Sequence, residues 1–318
     1  MQNSILKDIM KILCLDSNHP LIEEQLSAKG FQLDHDYKSS YDEVCNKIES
    51  YDGIIIRSRI PMDKTILERA KNLKFIARVG AGMENIDMDF AKSKGIELIN
   101  SPEGNRDSVA EHVVGMLLLL MHRLFISSQE VKNGIWLREE NRGDELMGKT
   151  FGIIGYGNMG KAVAKRLQGF GVNVIFYDIL EGLADENAKQ VSLEVLQKKS
   201  DIISLHVPET PLTHYMIDEV FVAKMAKPFY LVNTARGKNV KTDSLVEALK
   251  SGKVKAAALD VLEFEKSSFE TIEIQNDDLN YLLSSEKVIV TPHIGGWTVQ
   301  SKIKLAQFIV DKILARFS

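Results

Sequence analysis

Phe151-Gly-Ile-Ile-Gly-Tyr-Gly-Asn-Met-Gly160 is the stretch on which the reading of this chain turns. Four residues of strand composition, Phe151 to Ile154, run into a glycine-rich turn, and a helical pattern follows to about Phe170. In that context the spacing of Gly155, Gly157 and Gly160 has a physical meaning. The first glycine permits the tight turn, the second lets backbone N–H groups approach a pyrophosphate, and the third lets helix and strand pack closely. The helix start adds partial positive charge for phosphate. Tyr156, Asn158 and Met159 lie in the same loop and are counted with the cofactor-binding candidates. Asp178 stands 23 residues beyond Gly155, at the end of the next strand. A carboxylate there accepts hydrogen bonds from a ribose 2′-hydroxyl and repels a 2′-phosphate. No Arg follows in Ile179 to Gly182, so NAD is expected rather than NADP.

Outward from this motif the chain alternates short apolar runs with amphipathic stretches. Lys11 to Asp16, Gly53 to Ile56 and Leu73 to Val79 read as one set of strands. Phe151 to Ile154, Val172 to Tyr177, Ile202 to Leu205, Tyr230 to Val232, Ala256 to Leu259 and Val288 to Val290 read as a second, longer set. Strands alternating with helices predict parallel sheets covered on both faces. Between the sets, the Pro and Gly of Asn100 to Arg106 are read as a break, with a long helix starting at the capping-box-like Ser108 to Glu111. After Gly296 the pattern is helical to Phe317 and can pack back on the first set. The expected fold is therefore α/β with two doubly wound parallel-sheet domains. A Rossmann NAD-binding domain at 106–296 is inserted in a flavodoxin-like, substrate-binding domain made of 1–105 and 297–318.

Composition narrows the chemistry. With 40 Lys and Arg against 44 acidic residues among 318, the formal charge of -4 offers no broad attraction to nucleic acid or anionic membrane. The longest apolar run, Met116 to Met121, is too short to span a bilayer, and the N-terminus lacks a signal-peptide core. Two cysteines, Cys14 and Cys45, exclude a Cys-rich zinc or disulfide framework and fit a reducing, cytoplasmic setting. His19, His35, His112, His122 and His214 have no metal-ligand spacing, and no metal is expected.

Three strand ends of the second set carry reactive side chains. Asn233-Thr-Ala-Arg-Gly237 delivers Arg236, Ala256-Ala-Ala-Leu-Asp-Val-Leu-Glu-Phe-Glu265 delivers carboxylates, and Thr291-Pro-His-Ile-Gly-Gly296 delivers His293. Ligands of doubly wound sheets bind at such ends. Reduction of a 2-keto acid asks for these types: a guanidinium fork for the carboxylate, an imidazole to exchange the proton, and a carboxylate that holds the imidazole's tautomer. Singly, each has a plain alternative, as a surface ion pair, a solvated charge or a loop donor.

In order and spacing, GIIGYGNMGKAVA, SLHVPET, NTARG, AALDV and TPHIGG resemble the D-isomer-specific 2-hydroxyacid dehydrogenase family. Upstream, Val79-Gly-Ala-Gly-Met-Glu-Asn-Ile-Asp87 and Ser108-Val-Ala-Glu-His112 look like the family's substrate-domain and crossing-helix motifs. The resemblance implies an NAD-dependent oxidoreductase with Arg236, Glu265 and His293 as catalytic residues, and it selects Glu265 over Glu263. It extends the cofactor-binding set to His206, Val207, Pro208, Thr213, Thr234, Ala235, Asp260 and Gly295. It also implies that the Ala81 and Gly82 amides hold the substrate carboxylate alongside Arg236. One departure is Lys266-Ser-Ser where many members have Pro, opening an acidic segment that runs to Glu286.

Arg57 and Arg78 close strands of the first set, in IRSR and ARVGAG, and Arg138 sits in Gly134-Ile-Trp-Leu-Arg138. A small hydroxy acid needs one Arg for its carboxylate, so further arginines point to a second anionic group, a phosphate being the natural one. These stretches resemble the 3-phosphoglycerate dehydrogenases, which open serine biosynthesis and in which the equivalent of Arg138 comes from a partner subunit; a homodimer is implied. No regulatory module follows the tail helix, so feedback through such a domain is not expected. The nearest rival is a glyoxylate or hydroxypyruvate reductase. A formate dehydrogenase would place Gln where Glu265 stands. A rival of another class, an NAD-sensing corepressor, shares the fold and would bind NAD without turnover.

Overall fold

A computed structural model describes residues 9–265 and 276–318. Five strands, β1 (Lys11–Cys14), β2 (Gln32–His35), β3 (Gly53–Ile56), β4 (Phe75–Arg78) and β5 (Glu97–Asn100), form a parallel sheet in the order β2-β1-β3-β4-β5. Seven more, β6 (Thr150–Ile154), β7 (Asn173–Tyr177), β8 (Lys189–Gln190), β9 (Ile202–Leu205), β10 (Phe229–Asn233), β11 (Val254–Leu259) and β12 (Val288–Val290), form a second parallel sheet. Its order is β12-β11-β10-β9-β6-β7-β8. The first order is flavodoxin-like; the second is the Rossmann order with a seventh strand added. The chain divides into one compact unit of Met1–Asn105 with Trp297–Ser318 and another of Arg106–Gly296.

Both faces of each sheet are buried, which is why the central strands read as continuous apolar runs. In the first unit, Leu13, Ile54, Ile56 and Ile76 face one core, while Ile12, Ile55, Phe75 and Ala77 face the other. The second of these cores is closed by Ala306, Ile309, Val310 and Ile313 of the tail helix Val299–Phe317. Each of these Ile and Val side chains contributes about 1.5–3 kcal/mol of burial. Lys312 adds a polar tie, its Nζ donating to Glu103 at 2.8 Å.

Two expectations need correction. The Pro and Gly between Asn100 and Arg106 do not break the chain: a helix runs over Pro102–Met121, starting six residues before Ser108. Proline suits the first helical position, where its missing N–H would have no acceptor. Gly104 is required by packing, since a Cβ there would meet the Leu305 backbone at 2.6 Å. Ser108 is thus an interior helical residue and not a cap. The strand reading also missed β2, β5 and β8, all outside the apolar centre of their sheets. The helix after the fingerprint is α-helical over Asn158–Arg166 and tightens to a 3-10 turn at Leu167–Phe170. No single described helix is long and apolar enough to cross a membrane. Among the described residues no His, Cys, Asp and Glu group could hold a metal ion. The segment opened by Lys266-Ser-Ser lies outside the described residues as far as 275.

Candidate active site

In the Arg106–Gly296 unit the fingerprint glycines behave as their spacing requires. Gly155 has φ +91°, and a Cβ on it would strike the His206 carbonyl oxygen at 2.5 Å. A Cβ on Gly160 would meet the Gly155 oxygen at 2.2 Å, whereas Gly157, just before the Asn158–Arg166 helix, faces open space. That is a turn, a close helix–strand contact and an open N-terminal edge where phosphate can approach backbone N–H groups. Asn158 is exposed beside it, and Met159 is half-buried against the core. The Tyr156 side chain is fully buried, stacked on Phe176 with centroids 3.8 Å apart, and its hydroxyl donates to Asp185 at 2.7 Å. Only its backbone N–H faces the loop's partner, donating to Asp178 Oδ2 at 2.7 Å; Asp178 Oδ1 accepts from Leu180 N at 2.9 Å. Two bonds leave acceptor capacity on that carboxylate for hydroxyl groups. Tyr156, Gly157, Asn158, Asp178 and Leu180 line a cavity of about 450 Å³.

The neighbouring strand ends bear on the same question. β9 and β10 pair with Leu205 opposite Asn233, which sets His206 beside Thr234 one step further. Among the described residues, His206 Nδ1 and Thr234 Oγ1 are both buried with no hydrogen-bond partner. Buried polar atoms rarely go unpaired, and a ligand rich in donors and acceptors fits such an edge. His206 Nε2 lies 2.8 Å from Ser204 Oγ, and burial pushes the imidazole down to about 3, so it is neutral at physiological pH. Val207 lies against Gly155, and Pro208 is exposed with its carbonyl accepting from Thr213 Oγ1 at 2.6 Å. Ala235 is buried. These residues fit a dinucleotide.

Arg236, Glu265 and His293 all lie in this unit, past β10, β11 and β12. Arg236 is half-buried; its backbone N–H donates to Asn239 Oδ1 at 3.1 Å and its Nη1 to the Ala235 carbonyl at 2.6 Å. Gly237 is essential to this turn, since a Cβ would lie 1.9 Å from the Leu262 oxygen. His293 Nδ1 is 2.9 Å from Glu265 Oε2. Glu265 is itself anchored, accepting from Leu262 N at 2.6 Å. Glu263, its rival in sequence, is committed elsewhere, accepting from the Tyr215 hydroxyl at 2.6 Å and from Thr242 N at 2.9 Å. That bond pushes the Tyr215 phenol up to about 12. The two carboxylates therefore have separate duties. His293 adopts φ 55°, a left-handed conformation that side chains other than glycine rarely take. Asp260 is buried, and Gly295 N donates to its Oδ2 at 2.8 Å.

The arginines of the first unit fall into two kinds. Arg59 is structural, its guanidinium donating to the carbonyls of Leu15, Ser39 and Asp36 at 2.6–2.8 Å. Arg57 follows β3 and Arg78 ends the adjacent β4. The Arg57 guanidinium sits 4.9 Å over the Trp297 ring, and Arg78 Nε donates to the Arg57 carbonyl at 3.3 Å. Arg78 folds back over Gly80, where a Cβ would meet its Nη1 at 1.9 Å. That sets a cation against the turn carrying Ala81 and Gly82, both half-buried; the Ala81 carbonyl accepts from Asn100 at 2.7 Å. Arg138 lies in the other unit, on a run from Val131 to Glu140 that is exposed throughout.

Residues 114–295 match the profile of the D-isomer specific 2-hydroxyacid dehydrogenase NAD binding domain. The chain belongs to the D-isomer-specific 2-hydroxyacid dehydrogenase family. A hydroxypyruvate reductase of Thermotoga maritima is 41% identical over 86% of this chain and 87% of its own length. A D-3-phosphoglycerate dehydrogenase of Archaeoglobus fulgidus is 35% identical over 96% of this chain, which spans 57% of that longer protein. Among solved structures, the D-lactate dehydrogenase of Aquifex aeolicus complexed with NAD and lactic acid superposes with TM-score 0.83 at 32% identity, covering 96% of this chain and 94% of that one. As a member of this dehydrogenase family, the chain carries an NAD-binding domain and uses NAD.

Sequence reasoning passed over Trp297, Ser108 and His112. Trp297 follows TPHIGG directly, and its place next to that motif was the available signal. Ser108 and His112 stand four residues apart, one face of a helix, within a motif already singled out.

Proposed function

We propose that this dehydrogenase interconverts 3-phosphoglycerate and 3-phosphohydroxypyruvate, the opening step toward serine. The observation that carries the reading is the pair of guanidinium groups on adjacent strand ends, Arg78 folded over Gly80 and Arg57 stacked on Trp297. Two such cations suit a doubly charged phosphate. Arg236 is assigned the substrate carboxylate together with the Ala81 and Gly82 amides, and it polarises the carbonyl. His293 gives the carbonyl oxygen its proton in reduction and takes the hydroxyl proton in oxidation. Because Nδ1 is engaged by Glu265, the transferred proton belongs to Nε2. NADH, when bound, supplies the hydride to the 2-carbon. The fingerprint backbone at Gly155 to Gly160 takes the pyrophosphate, Asp178 the adenosine ribose, and the edge formed by His206, Val207, Pro208, Thr213, Thr234, Ala235, Asp260 and Gly295 the remainder of the cofactor.

A second reading has its own support: reduction of unphosphorylated hydroxypyruvate, favoured by the similarity to the Thermotoga maritima reductase over 87% of its length. The two are separated by comparing kcat/KM for the phosphorylated and unphosphorylated keto acids.

Asp178 is expected to make NADH strongly preferred over NADPH, by repulsion of the 2′-phosphate and loss of hydroxyl hydrogen bonds. Equal kcat/KM with both cofactors would remove that role. Glu265→Gln removes the charged acceptor 2.9 Å from Nδ1 that orients the His293 ring, so kcat for keto-acid reduction should fall by about 10²-fold while NADH affinity stays near wild type. An unchanged kcat would return the choice to Glu263.

A homodimer supplying Arg138 across its interface is part of the proposal. It is supported by exposed apolar side chains on and near that run, with Trp136 at 75% and Val131 at 51% exposure, beside Leu124 and Phe125. Exposed large apolar side chains clustered along one stretch of chain fit an interface. Sedimentation equilibrium should give twice the chain mass, and a monomer at assay concentrations would contradict it. A cytoplasmic location is proposed on the two unpaired, buried cysteines, with the Cys14 thiol pushed up to about 12 by burial and thereby inert.

A further inference from the structure

We propose that Ser108, His112 and Thr291, gathered around the cofactor-binding Asp260, form a brace that holds the backbone of His293 in its left-handed conformation, and that these three act on the reaction only through that residue. The proposal rests on His293 being the proton donor. His293 at φ 55° does not hold itself there, because a left-handed conformation costs free energy for a side chain with a Cβ. Such strain persists only where surrounding contacts over-determine it, and here they do.

Asp260, at the end of β11, makes most of the contacts. Its carbonyl accepts from His293 N at 2.8 Å. Its Oδ1 accepts from Thr291 Oγ1 at 2.5 Å and from Ile294 N at 2.9 Å, and its Oδ2 from Gly295 N at 2.8 Å. One residue thus ties the loop on both sides of His293. The carboxyl is only 2% exposed, and burial alone would raise its pKa. The bonds from His112, Thr291, Gly295 and Ile294 outweigh burial and hold it below the usual carboxylate range. Gly295 has to be glycine for this, since a Cβ would come within 2.9 Å of Asp260 Oδ2 and 3.3 Å of His112.

The other half of the brace is the Pro102–Met121 helix. Ser108 and His112 are one helical turn apart and share a face. Ser108 Oγ donates to the Gly295 carbonyl at 2.6 Å, a buried bond. His112 Nε2 lies 3.1 Å from Thr291 Oγ1 and 3.3 Å from Asp260 Oδ1. Thr291 spends its hydroxyl proton on Asp260, so it accepts from His112, which places the ring hydrogen on Nε2. The loop from Thr291 to Gly295 is therefore pinned at its first and last residues by the helix and throughout by Asp260.

In the full-length enzyme, Thr291→Val, nearly isosteric, removes the hydroxyl that ties the loop to Asp260 and to the helix. The single-turnover rate of NADH oxidation should fall by about 10-fold while the NADH dissociation constant stays within about twofold of wild type. Thr291→Ser, which restores the hydroxyl, should recover most of the rate. Unchanged melting midpoints for the Thr291 pair would tie the loss to positioning. Three outcomes overturn the proposal: weakened NADH binding in Thr291→Val, equal rates in Thr291→Val and wild type, or equal losses in Thr291→Val and Thr291→Ser. If His293→Ala itself turns over normally, the assignment of the proton donor fails instead.

Discussion

His293→Ala is expected to lower kcat for keto-acid reduction by about 10²- to 10⁴-fold while NADH affinity stays near the wild-type value. The size follows from removing the group proposed to protonate the carbonyl oxygen in the transition state. The specificity of the effect follows from where His293 sits. It lies past β12, and its Nδ1 is held by Glu265, which is anchored on Leu262 N. None of these atoms belongs to the fingerprint loop or to Asp178, so cofactor binding has no reason to change. Stopped-flow turnover together with NADH titration measures both quantities. Near-normal turnover would dismiss His293 as the proton donor, and a collapse of NADH affinity would make its role structural.

The second large effect is expected at the arginines of the other unit. Arg57→Ala or Arg78→Ala should each weaken the phosphorylated substrate by about 1.5–3 kcal/mol, the worth of a charge-assisted hydrogen bond. That is roughly 10- to 150-fold in kcat/KM for each, and more in the double variant. Unphosphorylated hydroxypyruvate should be affected much less. The contrast between substrates is informative because Arg236 is proposed to serve the carboxylate common to both, so its loss should harm every substrate. Arg57 carries a second expectation: its guanidinium lies 4.9 Å above Trp297, so its replacement should alter the indole fluorescence. Equal losses for both keto acids would mean that Arg57 and Arg78 shape the unit and do not read a phosphate.

Much of this site was legible in the sequence because its signals are local. The strand, glycines and helix of the fingerprint adjoin one another, and Asp178, Arg236 and His293 each stand within a few residues of an apolar strand end. What escaped was either weak in pattern or remote in sequence. Gln32-Leu-Asp-His35 and Glu97-Leu-Ile-Asn100 are edge strands, whose polar and only partly buried residues blur the apolar run that marks a central strand. The early helix start at Pro102 was hidden because Pro and Gly ordinarily signal a break, and only the backbone of Leu305, two hundred residues on, explains Gly104. The bond between Ser108 and Gly295 spans 187 residues and has no local signature at all. Glu265 and Glu263 could be told apart by resemblance, but their separate partners, His293 and Tyr215, appear only in three dimensions.

The most direct test of the proposed reaction is the ratio of kcat/KM for phosphohydroxypyruvate to that for hydroxypyruvate and for glyoxylate, each followed as NADH oxidation with the wild-type protein. Phosphohydroxypyruvate should be favoured by at least about 10-fold over both, the contribution expected of even one arginine pairing with the phosphate. A higher kcat/KM for hydroxypyruvate or glyoxylate would contradict the phosphate reading and leave Arg57 and Arg78 in need of another role.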